Sequence, residues 1–594
     1  MGAAPPQATV VSTAVAWRDA DPDPVTRAEL DQLLESGDTA GLAERFEGSL
    51  AFGTAGIRAE IGAGPMRMNR LVIARVATGL AQYIQGRDQG AATAGVVIGY
   101  DGRTNSAVFA TDAARVLSRA GISVWLLPRA LPTPVLAFSV RHLHTAYGIM
   151  VTASHNPRQY NGLKVYVRDG AQLLPPADEE MAAAIDAVDP LHLPEGWAEG
   201  SFAFRPAEEA ADAYVAAVAA HGGPPPGAGP RLKVVHTALH GVGDAPLRAV
   251  FAKAGWPMPV PVAAQQQPDP AFPTANYPNP EEPGVLDLAK ETAERADADL
   301  VLANDPDADR VAVMVPGPDG WRMLTGDEVG ALLGDAVLTR LGNGDPVEDP
   351  GALPAVVATT VVSGSLLRRL AQAAGVRCVT TLTGFKWIAR AGGPDAALIY
   401  GYEQALGYAV RPRLVADKDG ISAALLVLQL ATAEAQHGRT LLDRLDDLAL
   451  AHGLHLTRQR TLRADGAEGL AQLDEALDRV RRDPPPLLAG QPVTVADLRQ
   501  AAPGVVDLAG GHAERSPGQP IPPADVLIWH AGRDARVMIR PSGTEPELKI
   551  YAEAVRPVAS QHELAAARTA AADRVEQMLS AAAAALHVPT GDRS

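Results

Sequence analysis

Leu300-Val-Leu-Ala-Asn304-Asp305-Pro-Asp307-Ala-Asp309-Arg310-Val-Ala-Val-Met314 is an apolar run, an acidic loop and a second apolar run. Short apolar runs bounded by turn residues read as buried strands. The carboxylates therefore stand at a strand end, where α/β sheets present ligands. Asp305, Asp307 and Asp309 alternate; in an extended or loop backbone that spacing puts side chains on one side, whereas a helix would splay them. Three convergent carboxylates repel unless a cation neutralises them, and ligation by oxygen alone favours Mg2+. A calcium EF-hand loop needs Gly at its sixth position and Glu at its twelfth, where this chain has Arg310 and Pro316. A solvated acidic turn is the remaining alternative.

Around this stretch, short apolar runs alternate with amphipathic, alanine-rich ones. Residues 95–100 read as a strand, 105–120 as a helix and 122–127 as the next strand. The cycle returns at 232–235 into 241–254 and at 355–362 into 365–374, with 397–400 as a following strand. This alternation is the signature of α/β layering. Pro224–Pro230 reads as a stiff turn before a new strand and Pro316–Gly320 as a hairpin turn near a boundary. Asp483-Pro-Pro-Pro486 falls within a C-terminal unit of different character, which ends in a hairpin-like stretch at 526–539 and an alanine-rich helix at 563–586. At 594 residues the chain exceeds one hydrophobic core and suggests about four domains.

The 52 basic and 69 acidic residues give a net charge of −17, which repels nucleic acid and anionic membrane and excludes both as expected partners. An anionic substrate would need a locally positive site. One cysteine, Cys378, rules out an internal disulfide and fits a reducing compartment; its apolar surroundings predict a buried structural residue. The N-terminus lacks a signal-peptide pattern, and Pro6 stands where a myristoylation motif wants Ser or Thr. The most apolar stretch, 421–433, is too short to span a membrane and reads as a buried core helix. A soluble, cytoplasmic protein is expected.

Thr152-Ala-Ser154-His155-Asn156-Pro157-Arg158 offers a hydroxyl nucleophile beside proton-transfer groups, with Lys164 close behind. Serine needs a base, a metal or a positive field to attack; alone, the tetrapeptide Ser-His-Asn-Pro is also a common turn. Arg540-Pro-Ser542-Gly543-Thr544 combines a charged fork, two hydroxyls and flexible backbone, apt for phosphate. Glu403 could accept sugar hydroxyls and Lys386 could meet a phosphate. Gly-x-Ser-x-Gly, Walker and dinucleotide-binding patterns are all missing. Serine, carboxylate cage and anion cradle together point to phosphoryl transfer on a phosphorylated small molecule.

In order along the chain, Phe52–Arg58, Gly99–Arg103, Thr152–Pro157, Pro268–Glu282, Asn304–Arg310, Thr383–Ile388, Gly401–Tyr408, Asp417–Gly420 and Arg540–Tyr551 resemble the motifs of the α-D-phosphohexomutase superfamily, in its phosphoglucomutase/phosphomannomutase branch that includes phosphopentomutase-like members. The resemblance implies four domains around a central cleft: three related mixed-sheet α/β domains (1–206, 207–321, 322–452) and a smaller C-terminal α+β domain (453–594). It implies a phosphorylated Ser154, with Arg58, His155 and Lys164 lining the reaction centre and Mg2+ held by Ser154, Asp305, Asp307 and Asp309. Arg310, Gly384, Lys386, Glu403, Lys418, Arg540, Ser542, Gly543 and Thr544 would contact substrate. The expected enzyme moves phosphate between the 1 and 6 positions of a sugar, glucose first and mannose next, through a sugar bisphosphate that is also its activator. The partner is a small sugar phosphate and the chain a monomer or homodimer.

One departure bears on substrate. Many members of the superfamily carry Glu-x-Ser where this chain has Glu403-Gln404-Ala405. Its pentomutase-like relatives share the alanine, so ribose or deoxyribose phosphates are the alternative. A metal-dependent sugar phosphatase is a further one.

Overall fold

Val96–Tyr100 forms the strand expected at 95–100, and Ser106–Arg119 the helix that follows it. The computed structural model describes residues 7–53, 56–87, 89–194, 196–220, 222–224, 231–345, 351–464, 466–500, 507–508, 511–512, 523–542 and 547–587. They divide into two units, residues up to 324 with 407–432, and residues 325–406 with those from 433 onward.

The first unit holds two mixed sheets built alike. In one, Val96–Tyr100 lies parallel to Val124–Leu126 and to Tyr147–Val151, and Tyr147–Val151 then turns back antiparallel as Tyr160–Val167. Ile57–Glu60 pairs on the far side of Tyr160–Val167. In the other, Val234–Thr237 lies parallel to Leu300–Asn304, which turns back antiparallel as Val311–Gly317. Both strands that turn back, Tyr147–Val151 and Leu300–Asn304, are almost wholly buried, which is why they read as continuous apolar runs. The turn at 317–320 joins a hairpin, as its Pro and Gly content predicts.

Gly56 shows how tightly these elements approach. Its φ is +88°, and a Cβ there would lie 1.9 Å from the Leu163 carbonyl oxygen, so no other residue fits between strand and loop. Helix Gly420–Gln436 is apolar on all sides and buried along most of its length, the core helix expected from 421–433. Among the described residues no helix is long and apolar enough to cross a membrane. The turn at 224–230 lies outside the described residues except for Pro224.

In the second unit Ala355–Thr360 runs parallel to Arg377–Thr381 and Ala397–Glu403. Helix Gly326–Gly342 starts at a capping box formed by Thr325 and Glu328, and helix Leu441–His452 at one formed by Thr440 and Asp443. The C-terminal sheet is antiparallel, in the order 454–463, 547–556, 535–541, 527–531, 491–497, 487–488. Helix Leu564–Leu586 lays Val575, Met578, Leu579 and Ala582 into the core with Trp529. Val361 and Val362 join Ile528, Met538 and Tyr551 in an apolar seam between the two sheets of this unit. Cys378 is half-buried rather than fully buried, because it is the second residue of the strand Arg377–Thr381, near the sheet end. Desolvation nonetheless pushes its thiol up to about 12, so it is no ready nucleophile.

Candidate active site

Ser154 stands in the loop between Val151 and Tyr160 with φ at +52°, the left-handed region that side-chain-bearing residues seldom adopt. Holding a residue there costs about 1–3 kcal/mol and requires the surroundings to enforce it. Here they do. The Ser154 N–H donates to Thr152 Oγ1 at 2.8 Å, and Thr152 donates in turn to Asp101 Oδ2 at 2.7 Å. Arg103 donates to the carbonyl oxygens of Ser154 at 2.5 Å, Asn156 at 2.6 Å, Pro157 at 2.9 Å and Tyr160 at 3.2 Å. Arg103 and Asp101 are wholly buried as a pair, and the Arg103 guanidinium lies 5.0 Å from the Phe272 ring centroid.

The aspartate loop sits between Asn304 and Val311, at the corresponding turn of the second sheet. Ala308, too, is left-handed, with φ at +51°. The Ser154 hydroxyl donates to Asp305 Oδ2 at 3.1 Å, and its Oγ is 3.2 Å from His155 Nδ1. Lys164 Nζ donates to Asp307 Oδ2 at 2.8 Å and to Asp309 Oδ2 at 3.0 Å. Lys418 Nζ lies 3.4 Å from Asp309 Oδ2, and Arg310 Nε 3.9 Å from Asp305 Oδ2. Arg58 donates to Asn156 Oδ1 at 3.3 Å. Gly420 carries Lys418 close: a Cβ there would meet the Arg310 carbonyl oxygen at 2.2 Å.

Charge in this buried space is balanced unevenly. Burial raises Asp305 well above the usual carboxylate range, and Asp307 and Asp309 push it the same way. Burial would raise Asp307 too, but its contact with Lys164 outweighs that and holds it below the usual value. Asp309 is also lowered, since Lys164, Lys418 and Arg310 outweigh burial and Asp307. Lys164 is held as a cation: burial works against it, and the two aspartates win. Burial, then Arg310 and Arg58, drive His155 well below the usual 6.5, leaving a neutral imidazole.

One carboxylate oxygen from each of Asp305, Asp307 and Asp309 lies within 4.8 Å of the others. Asp307 Oδ1 and Asp309 Oδ1 are buried without a hydrogen-bond partner. Orphaned buried oxygens are costly, and an all-oxygen donor set around them suits a hard divalent cation. The residues therefore fit a metal.

The remaining candidates lie in the second unit. Gly384, at φ +108°, precedes the short helix Phe385–Ile388, which buries Lys386. Glu403 ends the strand Ala397–Glu403. Gln404 Oε1 accepts from Ser363 Oγ at 2.9 Å. Arg540, near the end of Ala535–Pro541, donates to Thr383 Oγ1, which brings the start of the phosphate loop beside Gly384. The Arg540 Nε is buried without a partner. Ser542 donates its N–H to the Glu547 carbonyl at 2.8 Å; Gly543 and Thr544 lie outside the described residues.

Sequence reasoning missed two residues. Arg103 was legible as part of Asp-Gly-Arg after a strand, but nothing local shows that its guanidinium gathers four carbonyls more than fifty residues away. Thr133 donates to Asp307 Oδ2 at 2.7 Å, and its N–H to the Asp307 carbonyl at 3.0 Å, from a Thr-Pro helix start with no motif signal.

Models of the phosphoglucomutase/phosphomannomutase family match the chain over all their parts: α/β/α domain I at residues 49–192, domain II at 212–318, domain III at 325–449 and the C-terminal domain at 528–571. A probable phosphomannomutase of Haemophilus influenzae is 39% identical over 82% of this chain and 93% of its own length. The phosphopentomutase of Mus musculus is 33% identical over 91% of this chain and 89% of its own. A solved phosphoglucomutase/phosphomannomutase family protein from Burkholderia thailandensis shares the fold, with a TM-score of 0.64 at 21% identity, covering 91% of this chain and 98% of that one.

Proposed function

We propose that this chain, which belongs to the phosphoglucomutase/phosphomannomutase family and is a phosphosugar mutase, carries its phosphoryl group on Ser154 and interconverts a sugar 1-phosphate with a sugar 6-phosphate. The observation that carries this reading is the Ser154 hydroxyl at 3.1 Å from Asp305, in a buried site with two orphaned aspartate oxygens. We assign the four domains to 1–206, 207–321, 322–452 and 453–594; each family segment falls inside one of them.

In this reading the phosphoryl group passes from Ser154 Oγ to the free hydroxyl of the bound sugar phosphate. The Ser–phosphorus bond breaks as the new ester bond forms, giving a sugar bisphosphate. The sugar then turns end for end, and Ser154 takes back the other phosphate. Asp305, Asp307, Asp309 and the Ser154 oxygen would hold Mg2+, which when bound offsets negative charge on the transferring group. Lys164 keeps Asp307 and Asp309 ionised and in place. His155, a neutral imidazole beside Ser154 Oγ, can accept or return a proton there. Arg58 holds Asn156 and so the serine loop. Burial of Ser154 at 2% exposure limits hydrolysis of the phosphoserine. We assign sugar and distal-phosphate recognition to Arg310, Gly384, Lys386, Glu403 and Lys418 and to Arg540, Ser542, Gly543 and Thr544. The bisphosphate is intermediate and activator. The single cysteine supports a reducing compartment, for which we assign the cytoplasm, and we assign a monomer or homodimer.

Glucose phosphate is the first substrate in this reading. Pentose phosphates are the second, favoured by Ala405 and by the likeness to a phosphopentomutase. Turnover of glucose, mannose, ribose and deoxyribose 1-phosphates with Mg2+ tests both levels. Isomer as the product supports the mutase; free phosphate in its place makes the chain a phosphatase. A pentose preference moves the substrate assignment to the second reading.

A further inference from the structure

On a chain with a net charge of −17, Arg368, Arg369, Arg377, Arg533 and Arg536 line one cavity of about 850 Å³ within the second unit. The two carboxylates that also line it are engaged. Glu553 Oε2 pairs with Arg536 at 2.7 Å, and Asp534 pairs with Arg574 at 2.8 Å. Among the described residues no ion pair forms at Arg369, Arg377 or Arg533. Like charges gathered without counter-charge repel, so the cluster is unfavourable unless an anion shares it.

His455 gives a second, independent sign. Its side chain is 4% exposed and lines the cavity. Its Nδ1 lies 3.1 Å from Glu553 Oε1 and 3.0 Å from Ser365 Oγ, while its Nε2 is buried without a hydrogen-bond partner. A buried polar atom left unpaired calls for a ligand or water.

The cavity is not the candidate active site. Arg536 and Arg540 share the strand Ala535–Pro541, but Arg536 pairs across from Glu553 at its start and Arg540 across from Lys549 near its end. Four residues of strand separate them by about 13 Å. Likewise Arg377 begins the strand whose last residue, Thr381, leads on to Gly384.

We propose that this cavity binds a small, non-aromatic metabolite bearing at least two phosphoryl groups. Guanidinium forks match phosphate oxygens in pairs, and the volume suits a ligand of that size. No Phe, Tyr or Trp lines the cavity, so a nucleobase would find no ring of these to stack on. The lining comes from both the parallel sheet and the antiparallel C-terminal sheet of the unit, so the ligand ties the two together. Binding here stabilises that unit without touching the serine loop.

Inorganic triphosphate serves as probe, titrated calorimetrically into the full chain held in saturating glucose 1-phosphate. A single site per chain is expected. R369E/R533E, which reverses two exposed charges outside the catalytic and sugar loops, should weaken it by at least about tenfold and leave turnover unchanged. The urea midpoint of the wild type in saturating glucose 1-phosphate should rise when triphosphate is added, because a ligand that binds only the folded chain stabilises it. This second readout needs no variant. Unchanged affinity in R369E/R533E, a urea midpoint indifferent to triphosphate, or binding that is lost in the presence of glucose 1-phosphate would each overturn the proposal.

Discussion

The Ser154 hydroxyl donates to Asp305 Oδ2 across 3.1 Å, although 151 positions separate the two residues in the chain. Each stands where a strand of a mixed sheet turns back antiparallel, after Val151 in one sheet and after Asn304 in the other. Two copies of one turn thus supply nucleophile and carboxylates, and both turns contain a residue forced into the left-handed region, Ser154 and Ala308.

Asp307→Ala should stop turnover. The variant removes the orphaned Oδ1 and one of the two carboxylates that hold Lys164, so divalent metal should bind weakly and in altered geometry. Calorimetry with Mg2+ and turnover at rising Mg2+ check this. Rescue should stay incomplete; full recovery of wild-type rate would make Asp307 peripheral.

Arg103→Lys keeps a charge beside Asp101 but cannot reach the four carbonyls that Arg103 gathers. Displacing the reacting group by even an ångström can cost about 100-fold, so kcat should fall by about that factor with KM little changed. Arg103 acts as a positioning residue, and a variant in which KM rises while kcat holds would contradict the assignment.

Much of this was legible in the sequence because the signals were local. The apolar runs at 300–303 and 355–362 became strands, the second only as far as Thr360, since both of their faces are buried, and the alternation of Asp305, Asp307 and Asp309 put their oxygens together. Lys164 stands close to the serine in sequence, but its pairing with Asp307 and Asp309, across 143 and 145 positions, is one that no local pattern encodes. Thr133 and Arg103 escaped for the same reason. Cys378 was read as buried from its apolar neighbours, but strand ends lie at the surface.

Glu553 tests the seam of the second unit. Burial would raise its carboxyl, yet Arg536 outweighs that, aided by the His455 hydrogen bond, and holds it well below its ordinary 4.5. A depressed carboxyl contributes stability that is full above the unfolded value and fades as pH falls toward the folded one. Glu553→Gln should therefore lose about 3 kcal/mol near neutral pH by breaking a buried pair, measured by urea denaturation. The gap from wild type should narrow below about pH 4.5; a gap that widened in acid would contradict the pairing.

Arg540→Ala removes a charged donor whose Nε is buried and unpartnered. Because either phosphate of the sugar must use the same grip, kcat/KM for 1-phosphate and 6-phosphate should fall together. A charged phosphate contact contributes about 2–3 kcal/mol, which corresponds to roughly 30- to 150-fold. Loss in one direction alone would show a grip for one sugar phosphate, and unchanged kinetics would place the grip elsewhere.

The central claim, that Ser154 carries the phosphoryl group in a sugar mutase, is tested most directly by intact-mass analysis after incubation with glucose 1,6-bisphosphate and Mg2+. Wild type should gain one phosphoryl group, mapped to Ser154 by fragmentation, and should pass it on to added glucose 1-phosphate with glucose 6-phosphate appearing. Ser154→Ala should bind glucose 1-phosphate with little change yet gain no phosphoryl group and form no isomer, because the lost group acts in the transition state. A Ser154→Ala chain that still became phosphorylated and still turned over would contradict the account.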